Sequence, residues 1–142
     1  MTGAPTCVDL HVKRLTERVV ERAKARGLDA LVYAPHFTRL PEIRERATRF
    51  SDAELRVIPA REVFTGSWRT RKHVLGIGLT DPIPDFITLD GALEELTRQD
   101  AAVLVPHPTF LTVSLSAADL RAHSHRIHAV ETYNPKHWAH HN

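Results

Sequence analysis

Five short apolar runs in this sequence each carry a histidine or a glutamate at or near one end. They are VDLH with His11, ALVYAPH with His36, RVIPARE with Glu62, KHVLGIG with His73 and AVLVPH with His107. In a sheet of parallel strands joined by helices, residues just past the C-terminal strand ends converge on one rim, where such folds carry their chemistry. Imidazoles and carboxylates are ligands of zinc, manganese and iron. The pattern therefore predicts a metal site built from these five side chains.

The elements that must position these residues follow from the alternation of β-branched runs with segments of helical period. Strands are expected at about 7–12, 30–33, 56–59, 73–77, 101–105 and 129–133. Helices are expected before Gly27, from Pro41 to about Phe50, from about Leu89 to Gln99, and briefly after a capping Ser116. Strand, helix, strand order implies parallel pairing through right-handed crossovers, so the predicted fold class is α/β and its expected form is a barrel.

The length sets a limit on that barrel. At 142 residues the chain has room for one domain, expected to span 1–142, whereas a closed eight-unit barrel usually needs about 250 residues. We therefore expect a smaller or incomplete barrel with about six strands. Exposed sheet edges in such a barrel favour self-association of the chain or a missing C-terminal segment.

Composition excludes several classes of protein. Hydrophobic residues make up 42% and charged residues 25%, as in globular domains, and no apolar run is long enough to cross a bilayer, so no membrane partner is expected. The single cysteine, Cys7, rules out an intrachain disulfide, and the N-terminus has no apolar signal core, so a cytoplasmic location is predicted. A net charge of +2, with one basic run from Arg69 to Lys72, does not favour a nucleic-acid partner.

Six segments, in order, resemble the PHP family, the polymerase and histidinol phosphatase domain. The matching segments are VDLHVK, GLDALVYAPH, PARE, HVLGIG, the His107–Pro108 pair and VETYN with Glu131 and Asn134. Members of that family fold as a distorted seven-stranded TIM-like β/α barrel and hydrolyse phosphoesters with up to three metals. The resemblance implies that His11, His36, Glu62, His73 and His107 bind metal, with Glu62 able to bridge two ions.

The chain also departs from the family pattern. Lys13 stands where the second histidine of the opening D-x-H-x-H motif belongs, and on a regular strand it shares a face with Asp9 and His11. Pro35 replaces an aspartate beside His36, and the late Asp-x-His pair of the family is absent. We therefore expect one or two divalent ions, zinc, manganese or iron, in a reduced site.

The implied activity is metal-dependent hydrolysis of a small phosphorylated substrate, with Lys13 or Arg61 binding the phosphate. No catalytic residue is assigned, and Asp9 is the nearest candidate for a general base. Two alternatives stay open. One is a catalytically degenerate domain that binds a phosphorylated ligand or a protein partner, and the other is a nucleic-acid-associated module supported only by the basic run.

Overall fold

The computed structural model describes residues 6–108 and 113–132 of the chain. The chain divides into two compact units, Met1–Arg61 and Glu62–Asn142. The strands are β1 (Val8–Val12), β2 (Ala30–Tyr33), β3 (Arg56–Thr65), β4 (Lys72–Ile77), β5 (Ala102–Val105) and β6 (Ala129–Val130). The helices are α1 (Glu17–Ala25), α2 (Leu40–Phe50), α3 (Leu89–Arg98) and α4 (Ala117–His123), followed by a 3₁₀ turn at Ser124–Arg126.

The first unit is built from parallel strands with helical crossovers, as the sequence predicts. β1 pairs with β2 and β2 with β3, both in parallel. Thr16 caps α1, its hydroxyl accepting from the backbone N–H of Val19, and Gly27, at φ +70°, ends the helix region where a left-handed residue is needed. The core of this unit lies between the helices and the strands: Val12, Leu15, Val20, Ala23, Leu31, Tyr33, Ile43, Ala47, Leu55 and Val57.

An irregularity in β1 changes what its side chains can do. Asp9 pairs with Leu31 and Val12 with Tyr33, so three steps along β1 correspond to two along β2. A bulge of this kind interrupts the alternation of side chains between the two faces of a strand. The expectation that Lys13 shares a face with Asp9 and His11 assumed an uninterrupted strand, and β1 is not one.

In the second unit the prediction of parallel pairing throughout is wrong. β5 and β6 are parallel, but β4 runs antiparallel to β5, with Leu75 opposite Leu104 and Ile77 opposite Ala102. The error began with β3, which was expected to end at Pro59 and in fact continues to Thr65. Only residues 66–71 then connect β3 to β4, too few for the crossover that a parallel pair needs.

Helix α3 packs closely against β4 at Gly76. A Cβ atom built at this position would overlap Leu96 Cδ2, so any larger residue would have to displace that leucine. Ala92, Leu93 and Leu96 are the buried residues of α3. Thr88 caps the helix by accepting from the backbone N–H of Gly91. This close approach fixes the strand that carries His73.

Helix α4 begins with the predicted cap and is tied to β4 by an ion pair. The Ser116 hydroxyl accepts from the Asp119 N–H, and the Asp119 carboxylate accepts from the Ser116 N–H, which completes a capping box. Lys72 Nζ lies 2.6 Å from Asp119 Oδ2. Burial opposes ionisation of Asp119, but hydrogen bonds from Lys72 and Ser116 outweigh it and lower the pKa of Asp119 to about 2.

The structure thus confirms an α/β fold with six strands: the strands of the first unit pair in parallel, and the second unit combines an antiparallel with a parallel pair. The seven-stranded, TIM-like barrel stays a prediction. β6 is shorter than expected, and Tyr133 and Asn134, at the end of the predicted strand, lie outside the described residues. Within residues 6–108 and 113–132, no helix combines the length and the apolar character that crossing a bilayer requires.

Candidate metal centre

Glu62 is the centre of a buried polar cluster in the second unit. It lies within β3, rather than past the end of the strand as predicted, and its side chain has no solvent exposure. Oε1 of Glu62 lies 2.8 Å from His73 Nδ1 and 3.3 Å from His107 Nε2. His73 and His107 are each only 4% exposed. Three of the five predicted ligands therefore meet in a buried site.

The reversed direction of β4 explains how His73 reaches this site. His73 is the second residue of β4, whereas His107 lies two residues past the end of β5. Because Leu75 lies opposite Leu104 in an antiparallel pair, the beginning of β4 lies beside the end of β5. The two imidazole centroids are 5.4 Å apart, and the rings are nearly perpendicular. A histidine at the start of an antiparallel strand thus joins one at the end of its neighbour.

His107 is held in a conformation that few residues adopt. Its φ of +31° is in the left-handed region, where side chains other than glycine are strained unless their surroundings hold them there. Its backbone N–H donates to Glu131 Oε2 at 2.5 Å, and its carbonyl accepts from the Ser114 hydroxyl. Backbone strain of this kind is concentrated at binding and catalytic sites.

Ser114 also fixes the tautomer of His107. Ser114 has one hydroxyl proton, which it donates to the His107 carbonyl, so its oxygen accepts from His107 Nδ1–H at 3.1 Å. In the neutral ring, Nε2 then carries the lone pair that faces Glu62 Oε1. Two lone pairs 3.3 Å apart repel each other, so the arrangement needs either a proton shared by the two atoms or a cation bound by both.

His73 is positioned by an aromatic neighbour. Its ring stacks on that of Phe64, with the centroids 4.0 Å apart and the planes 9° from parallel. Phe64 lies two residues beyond Glu62 on β3, and alternate residues of a strand share a face. The backbone N–H of His73 donates to the Val113 carbonyl at 3.0 Å. Packing and hydrogen bonding of this kind hold potential ligands in place.

The other predicted site residues lie in the first unit. His11 is half-buried in β1, and Lys13 is half-buried just past its end. His36 is half-buried and follows the end of β2 by three residues. Arg61 is buried on β3, but as the neighbour of Glu62 it points to the opposite face of a regular strand. That alternation gives no support to Arg61 as a phosphate ligand beside Glu62, and this role stays a prediction.

Two supporting residues were missed by sequence reasoning. Ser114 lies in the segment between β5 and α4, seven residues after His107, and no local pattern marks it. Phe64 could have been found, because extending the strand past Pro59 places it on the same face as Glu62. Glu131 was noticed only as part of a motif, and its contact with the His107 backbone depends on the pairing of β5 with β6.

The donor set agrees with the predicted chemistry. Two imidazoles and one carboxylate are ligands that zinc, manganese and iron accept. No family model matches the chain, and no curated protein matches it either. The case for a metal centre therefore rests on the residues themselves.

Proposed function

We propose that Glu62, His73 and His107 bind a divalent metal ion and that the protein is a metal-dependent hydrolase of small phosphoesters. The observation that carries the proposal is the approach of both imidazoles to one buried oxygen, Oε1 of Glu62. A bound cation would neutralise the carboxylate and would be shared, in place of a proton, by that oxygen and the lone pair of His107 Nε2. Zinc, manganese and iron suit these donors, with one ion and at most two.

His36, His11 and Lys13 belong to the first unit, and their roles at a metal site stay predictions.

Each residue of the cluster has a defined task in such a site. Glu62 supplies the negative charge, and its burial strengthens the attraction for a cation. Ser114 keeps the lone pair of His107 directed at the ion, and Phe64 fixes the plane of the His73 ring. When bound, a divalent ion supplies a Lewis acid that activates water and stabilises the charge that grows on the phosphoryl oxygens.

The first experiment measures metal and activity together. Protein purified without chelator and dialysed is analysed for metal content, and release of phosphate from p-nitrophenyl phosphate is measured with added manganese or zinc. We expect about one equivalent of bound metal and metal-dependent turnover. Glu62→Gln keeps the shape of the side chain but removes its charge, so it should abolish both.

Glu94→Gln is the matched control, because Glu94 is an exposed residue of α3 in the same unit. Circular dichroism shows whether each variant folds, and His107→Gln replaces Glu62→Gln if the latter does not. The metal site is refuted if the wild-type protein neither retains an ion nor gains thermal stability when metal is added. Bound metal without turnover would refute the hydrolase and leave a metal-binding domain.

A further inference from the structure

Two aromatic rings near the metal centre are exposed to solvent. Trp68, in the connection between β3 and β4, is 61% exposed, and Phe86 is 41% exposed. Their ring centroids are 5.9 Å apart. Single exposed apolar residues are common on protein surfaces, but neighbouring large rings offer a surface on which a planar group can stack.

Phe86 is held in its exposed position by the backbone. Its φ of +65° is in the left-handed region, which is strained for a bulky side chain. The Phe86 N–H donates to the Phe64 carbonyl at 2.6 Å, and the Gly66 N–H donates to the Ile87 carbonyl at 2.6 Å. Asp85 Oδ1 accepts from the Phe64 N–H at 3.0 Å. These bonds fix the Phe86 segment to the end of β3, so the ring is preorganised.

Positive charge surrounds Trp68. The Arg71 guanidinium lies over the Trp68 ring, 4.7 Å from its centroid, and donates to the Trp68 carbonyl. Arg69, one residue after Trp68, is exposed. Arginine beside an exposed tryptophan suits a ligand that is both planar and anionic, because the ring stacks and the guanidinium binds the charge.

A series of ring contacts leads from this surface to the metal centre. The Phe86 ring meets the Phe64 ring edge to face at 6.2 Å, and Phe64 stacks on His73. Trp68, Phe86, Phe64 and His73 all belong to the second unit. A ligand that stacks on the exposed rings is therefore connected to His73 through the rings of Phe86 and Phe64.

We propose that Trp68 and Phe86 form a stacking subsite for the ring of the substrate, and that the substrate is a phosphoester carrying a planar heteroaromatic group, such as a nucleoside monophosphate. Arg69 binds its negative charge, and Arg71 is a positioning residue that holds the Trp68 ring. That this ligand is a substrate rests on the proposed hydrolase function. That it binds at Trp68 and Phe86 does not.

Binding is tested with adenosine monophosphate, ribose 5-phosphate and adenosine, with the full chain under metal-loaded and chelated conditions. In a Trp138→Phe background Trp68 is the sole tryptophan, so quenching of its fluorescence reports on the subsite, and calorimetry gives the affinities. We expect adenosine monophosphate to bind at least about ten-fold more tightly than ribose 5-phosphate.

Substitution then assigns the contacts. Phe86→Ala is made in this background, and Trp68→Ala is measured by calorimetry. Each should lower the affinity for adenosine monophosphate between about five-fold and a hundred-fold and leave the affinity for ribose 5-phosphate unchanged. Arg69→Ala should lower the affinity for adenosine monophosphate but not the affinity for adenosine. Val130→Ala, which changes another exposed apolar residue of this unit, should alter none of them. Equal binding of the two phosphates, or equal losses for both in Trp68→Ala, would overturn the subsite. Intact binding without hydrolysis would refute only the hydrolase.

Discussion

Asp9, the nearest candidate for a general base, and Glu62, a predicted metal ligand, have opposite surroundings. Asp9 on β1 is exposed, and its Oδ1 accepts from the backbone N–H of His11, two residues away. Glu62 on β3 is fully buried, and its Oε1 contacts His73 and His107, which are eleven and forty-five residues away along the chain. The first carboxylate is satisfied locally, and the second depends on the fold.

This difference shows where the chain carries a functional constraint. A buried carboxylate loses its hydration, so it is stable only if nearby protons or cations compensate for it. An exposed carboxylate loses little on folding and can be replaced at little cost. The cluster of Glu62 is therefore the place where substitution should be most costly, and the segment around Asp9 should tolerate change.

The largest expected effect contrasts Glu62→Gln with Asp9→Asn in the metal-free protein. The first change leaves two buried imidazoles without their anionic partner, and breaking a buried pair costs on the order of 3 kcal/mol. The second should change the free energy of unfolding by less than about 1 kcal/mol. Urea denaturation measures both. Equal losses of unfolding free energy in the two variants would mean that burial does not determine how much each carboxylate contributes to stability.

His107 and His11 offer a second contrast, in the effect of each on metal affinity. His107→Ala removes a donor at the centre of the cluster, and we expect a loss of about 100-fold or more. His11→Ala should change the affinity by less than about three-fold if the ion is held by the second unit alone, because His11 belongs to the first unit. Titration with zinc or manganese gives both values. A comparable loss for His11→Ala would extend the site to β1.

A smaller effect should follow from removing the support of His107. Ser114→Ala deletes the acceptor of His107 Nδ1–H and the donor to the His107 carbonyl. Loss of such an outer partner typically lowers metal affinity by about 10-fold. The matched control is Ser124→Ala, because Ser124 is exposed and its hydroxyl bonds only the Arg121 carbonyl among the contacts described for it. Unchanged affinity in Ser114→Ala would contradict the tautomer assignment.

The smallest effect concerns the surface pair of Lys72 and Asp119. Because the pKa of Asp119 is about 2 in the folded protein and near 3.8 ordinarily, its contribution to stability is present above about pH 4 and is lost as the pH falls towards 2. Lys72→Met should raise the pKa of Asp119 towards 3.8 and flatten the dependence of stability on pH in that window. An NMR titration of the Asp119 carboxyl measures the shift, and an unchanged pKa would show that the Ser116 bonds suffice.

Much of the local structure could be predicted from the sequence. β2 matches the expected strand, α2 and α3 agree within a residue or so at each end, and Ser116 caps α4 as expected. These features depend on side chains within a few positions of one another, such as Thr16 accepting from Val19 or Gly27 in its left-handed conformation. Such patterns can be recognised without knowing the rest of the fold.

The extent of β3 and the direction of β4 could not be predicted in the same way. Ala60, Arg61 and Glu62 have no strong strand pattern, and their place in β3 depends on neighbouring strands that pair with them. Ending β3 early left a connection long enough for a parallel crossover, and this hid the reversal. The predicted partners of Glu62 therefore depended on the predicted length of a single strand, β3.

The sequence by itself determined the chemistry that is present: which strands carry imidazole and carboxylate groups, and roughly where each strand lies. Only the tertiary structure decided which of those groups meet. Strand direction and side-chain burial depend on pairing between distant segments, so they brought the start of β4 to the end of β5 and buried Glu62 between their histidines, while His11 stayed half-exposed on a bulged strand.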